Sequence, residues 1–170
     1  MNLEAAILQE HSKKQCTKIA HWVGSNPQRF DALFHLFVTG PYRVSQRASW
    51  PLSYCAISHP GLMEGKYEAL LANLEKPGLH NSIKRNTVRL LSAIDFPEKY
   101  DGTVLQFCIS FLEAPGEAVA VKAFSLALLT RLAKKYPAII PEIKLMIEDQ
   151  WPYQTAAFKS RARAFLQSCR

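Results

Sequence analysis

The sequence has no uninterrupted apolar run near the roughly 18 residues that a bilayer-crossing helix needs, so no transmembrane helix is expected. Its N-terminal stretch, residues 1–10, is acidic and amphipathic. It lacks the basic start and small-residue cleavage site of a signal peptide, and a cytoplasmic protein is the expectation. Cysteine is sparse: Cys16, Cys55, Cys108 and Cys169 lie far apart with no C-x-x-C pair. That scatter argues for reduced, mostly buried thiols and against a disulfide framework. Strand signals are missing too, with no Asn-Gly hairpin and no alternating Val/Thr/Tyr run. Catalytic signatures are equally scarce. There is no H-E-x-x-H, no G-x-S-x-G and no phosphate-cradling glycine loop. His11, Cys16 and His21 are spaced by five, which puts them on different faces of a helix. No catalytic residue, metal or cofactor is therefore expected, and no membrane partner.

What is present reads as helices. The 170 residues are 48% hydrophobic and 21% charged, the profile of one soluble globular domain, 1–170, large enough for a real core. Glycine and proline cut the chain into blocks of helical length, for example at Gly40-Pro41, Pro77-Gly78 and Pro115-Gly116. Between the breaks apolar residues recur at three and four, as in Phe30, Leu33, Phe34 and Phe37. The spacing predicts helices over 2–10, 12–23, 27–38, 42–58, 64–75, 81–94, 97–113, 117–135, 138–149 and 154–168. Pro51, inside 42–58, removes one backbone hydrogen bond and is expected to kink or split that helix. Helix 117–135 is apolar nearly all round, which predicts burial between neighbours on both sides.

One turn recurs. Arg85 with Val88 and Leu90 has degraded counterparts in Arg47 with Trp50 and Leu52, Lys122 with Ser125 and Ala127, and Arg161 with Ala164 and Leu166. The leading positions 47, 85, 122 and 161 are 38, 37 and 39 residues apart. A weaker copy starts at Lys14. Self-similarity at such a period marks a helical repeat array. Two-helix units of this length, with a basic residue early in the second helix, resemble HEAT repeats over nearly the whole chain. The Asp that often precedes the Val-Arg pair is missing from every copy. The resemblance implies an all-α protein, a right-handed superhelix of about five antiparallel helix pairs, whose second helices line a concave surface.

Charge follows the same division. The net charge is +7, yet the first helices of each pair are acidic or balanced and the second helices are basic. A field sorted in this way is an argument about partners. Basic residues at equivalent repeat positions often bond neighbouring carboxylates or helix C-terminal carbonyls, which is the structural reading of Arg47, Arg85, Lys122 and Arg161. Lys14, at the head of the weaker copy, and Lys18, Arg89, Lys159 and Arg163, which have no such repeat position, are the candidates for an anion-binding surface. Trp50 and Tyr54, one turn apart beside Arg47, are read either as core or as part of that surface.

The expectation is thus a non-catalytic scaffold that binds an acidic protein or peptide, or another anionic partner, through a basic concave surface made of Lys14, Lys18, Arg47, Trp50, Tyr54, Arg85, Arg89, Lys122, Lys159 and Arg163. The alternative is a nucleic-acid-binding protein. HEAT-like DNA-alkylation-repair glycosylases are similar in using a basic surface, aromatic side chains and a carboxylate. Here the second helices offer only Glu117, with Asp95 just past a helix end.

Overall fold

The computed structural model describes residues 1–169. Among these there is no strand, and ten α-helices follow one another, joined in places by four short 3-10 turns. They are α1 (Leu3–Gln9), α2 (Lys13–Val23), α3 (Pro27–Thr39), α4 (Tyr42–Ser58), α5 (Tyr67–Leu74), α6 (Asn81–Ala93), α7 (Asp101–Glu113), α8 (Val119–Lys135), α9 (Ile140–Gln150) and α10 (Ala156–Ser168). Each predicted helix has its counterpart, shifted by a few residues at most. No helix among the described residues is long and apolar enough to cross a membrane.

Local chemistry explains the boundaries. Asn2, Ser12, Asn26 and Thr155 cap the N-termini of α1, α2, α3 and α10 by accepting from backbone N–H groups in the first turn. Gly24 ends α2 with φ of 52°, a conformation that disfavours any residue with a Cβ.

The chain divides into two compact units, Met1–Asp95 and Phe96–Arg170. In the first, α4 is the central helix and packs against α3 and α6, with further contacts to α1 and α2. Its core includes Ile19, Phe30, Leu33, Phe37, Ala48, Leu52, Leu70 and Leu90, all at most 2% exposed. In the second, α8 packs against α7 and α10. Val121, Leu126, Leu128 and Leu129 of α8 are fully buried, as its all-round apolar character predicts. Phe158, Ala162 and Phe165 of α10 are fully buried as well.

Pro51 does not divide α4, which runs unbroken from Tyr42 to Ser58. Val44, Ala48, Leu52, Cys55 and Ala56 bury the helix on both sides of the proline. That packing outweighs the one hydrogen bond that proline forfeits.

The cysteines are free; Cys16, Cys55 and Cys108 are buried and Cys169 is half-buried. Burial pushes each of the three buried thiols up to about 12, so they stay protonated at neutral pH.

Candidate functional site

The basic ladder has two kinds of rung. Arg47 Nη1 donates to the Leu8 carbonyl at 2.7 Å, and Lys122 Nζ donates to the Leu112 carbonyl at 2.9 Å. Both acceptors lie in the last turn of a first helix, α1 and α7, where carbonyls lack intrahelical donors. Lys122 is only 2% exposed and also donates to Gln150 Oε1 at 2.7 Å. With its side chain buried and its ammonium bonded to two internal acceptors, Lys122 leaves the set of residues that could touch a partner. Burial lowers its pKa, with Glu117 opposing the shift.

Arg85 and Arg161 are different. Both are exposed, and among the described residues neither side chain makes a hydrogen bond or ion pair. Neutral residues do the capping elsewhere: Gln15 Nε2 donates to the Ala6 carbonyl at 2.6 Å, and Ser45 Oγ donates to the Phe37 carbonyl at 2.5 Å. Among the ladder residues, only Lys122 donates to the end of the helix directly before its own; Arg47 reaches back to α1, and the end of α3 is met by Ser45.

In the first unit, the second helices bring several candidates together. Along α4, Arg43, Arg47, Trp50 and Tyr54 recur at four, three and four, so they share one face. The Trp50 ring meets Tyr54 edge-on at 6.3 Å and His11 edge-on at 5.7 Å. Arg89 of α6 sets its guanidinium over the Tyr54 ring, 4.6 Å from the centroid. Trp50 and Tyr54 are half-buried, so each is packed on one side and open on the other. The field on this face is visible at His11. Partial desolvation lowers its pKa, and the positive charges of Arg47, Arg85, His80 and Arg43 lower it further.

A groove of about 440 Å³ opens between α2, α4 and α6. Its walls include Thr17 and His21 of α2, Gly24, Tyr54 and Ser58 of α4, His59 and Arg89. Among the described residues no carboxylate lines it. Lys13, Lys14 and Lys18 are exposed on α2, and none of them lines the groove. Sequence spacing alone could not show this, because the flank that faces α4 is set by packing. His21 and His59 were likewise unrecognisable as neighbours, being 38 residues apart.

The second unit carries a smaller cluster. Lys159 Nζ lies 5.7 Å and the Arg163 guanidinium 5.3 Å from the Trp151 ring centroid. Two cations on one indole leave net positive charge beside an apolar ring, and among the described residues no carboxylate is bonded to either.

The helical pairs agree with comparison to known families: the HEAT repeat domain matches residues 3–168. The chain belongs to the HEAT repeat family. No curated protein and no solved structure matches it significantly.

Proposed function

We propose that this HEAT repeat protein is a non-catalytic, cytoplasmic scaffold that uses the basic, aromatic-lined face of α2, α4 and α6 to bind an acidic protein segment. The observation that carries this reading is the convergence of Arg43, Arg85 and Arg89 on a face with half-open aromatic rings and a groove without carboxylates. Such a face attracts anions from a distance and offers apolar contact at close range. The absence of an acid from the groove walls speaks for binding over glycosylase chemistry, which needs a carboxylate near the target nucleotide.

The test is a titration of the purified protein with a labelled glutamate-rich peptide and with single- and double-stranded DNA and RNA. Peptide binding that Arg85→Gln and Arg89→Gln together weaken by about tenfold or more supports the reading; one lost charge-assisted contact is worth about that much. Peptide binding untouched by the double change refutes it. Nucleic-acid binding that collapses by several logs between about 50 and 200 mM salt establishes the alternative.

A further inference from the structure

The groove beside Arg89 holds more unused hydrogen-bonding capacity than a carboxylate can accept. Arg89 rests on Tyr54, which positions the guanidinium, and its N–H groups bond nothing else among the described residues. The ring nitrogens of His21 and His59 and the hydroxyls of Thr17, Tyr54 and Ser58 are likewise without an intramolecular partner there. Six polar side chains thus line one recess, three of them able to carry positive charge, with no acid among them. The remaining wall is apolar, from Ala20 and Ile57.

We infer that this groove receives a phosphate monoester, presented by a phosphorylated residue of the acidic segment; the inference rests on the protein-binding reading of the face. A carboxylate has two oxygens and one charge. A phosphate monoester has three terminal oxygens and close to two charges at neutral pH. A guanidinium engages two of those oxygens in a fork, and imidazole N–H and hydroxyl donors reach the third. A recess of about 440 Å³ is within the range that encloses a small ligand, so the ester's carbon stem fits against the apolar wall.

The experiment compares three labelled peptides on the full chain. They have the same glutamate-containing sequence with phosphoserine, aspartate or serine at the centre. The expected result is phosphopeptide affinity about tenfold or more above the aspartate peptide, the scale of one added charge-assisted contact. Arg89→Gln removes that advantage, and His59→Gln, at an exposed position, reduces it; Lys134→Gln, exposed on α8 in the second unit, preserves it. Should Arg89→Gln fail to fold, His59→Gln decides the matter. Equal affinity for the three peptides, or an advantage that survives in both groove variants, overturns the inference while leaving the acidic-segment reading standing. If none of the peptides binds, both fall. A 5′-hydroxyl oligonucleotide that binds as tightly as the phosphopeptide overturns it as well, since a phosphodiester then suffices.

Discussion

Lys122 and Arg85 occupy the same repeat position and have opposite fates, which makes them a matched pair of probes. Lys122 is enclosed and bonds the Leu112 carbonyl and Gln150; Arg85 is exposed. Lys122→Met removes the donor from a buried helix end, where an unmet polar group costs about 1–3 kcal/mol. Arg85→Gln changes stability by less than about 0.5 kcal/mol, as surface substitutions do. Chemical denaturation of both variants checks this, and equal losses would show that the position has one role throughout. His11 reports on the field directly. Its pKa is lowered from the ordinary 6.5 by desolvation and then by the arginines, so the folded protein binds fewer protons than the unfolded chain in the window below pH 6.5. Stability therefore falls as pH drops through that window, and the His11 contribution is constant above it. NMR titration of the ring is expected to give a pKa below 6.5 that rises in Arg85→Gln and rises again when an anionic peptide occupies the face. An unmoved value in both cases would mean that the face carries no effective field.

At the scale of elements, α4 and α6 meet through a polar seam inside an otherwise apolar contact. Asn86 Nδ2 donates to Ser49 Oγ at 2.9 Å, and Ser49 Oγ donates to the Gln46 carbonyl at 2.7 Å. Both Asn86 and Ser49 are buried, so neither finds water instead. The seam ties α6, which carries Arg85 and Arg89, to the stripe of Arg43, Trp50 and Tyr54 on α4. Asn86→Ala is expected to cost about 0.5–1.5 kcal/mol, the net worth of the one bond it removes, since Ser49 keeps its bond to the Gln46 carbonyl. It should also weaken peptide binding, because Arg89 loses its register over Tyr54. Ser92→Ala, whose hydroxyl bonds the Arg89 carbonyl of its own helix, is the control and should change little. Intact binding in a destabilised Asn86→Ala would separate the seam from the site. The seam was invisible in the sequence, where Asn86 and Ser49 lie 37 residues apart on separate helices. The unbroken course of α4 was equally hidden, since a proline advertises a lost bond but not the burial that offsets it.

For the whole molecule, the net charge of +7 is shared between two compact units, each with its own cation–aromatic cluster. Binding by charge alone would be distributed over both; binding by the groove is confined to the first. Charge reversal discriminates between them. Arg89→Glu is expected to reduce affinity for a glutamate-rich peptide by about tenfold or more, and Arg163→Glu by far less. Equal effects would make the surface a diffuse counter-ion layer and its affinity a matter of salt.

By itself the sequence determined that this protein is all-α, where its helices lie to within a few residues, that they repeat in pairs, and that the second helix of each pair is the basic one. Those are local properties, written in apolar spacing, capping residues and glycine or proline breaks. Only the tertiary structure decided which cations are spent inside the fold and which are left to a partner. Arg47 of α4 reaches Leu8 of α1, in the preceding pair, and Lys122 of α8 reaches Leu112 of α7, within its own pair. Arg89 meets Tyr54 across two second helices. Such pairings depend on the distance and rotation between packed helices, which no spacing along one helix encodes.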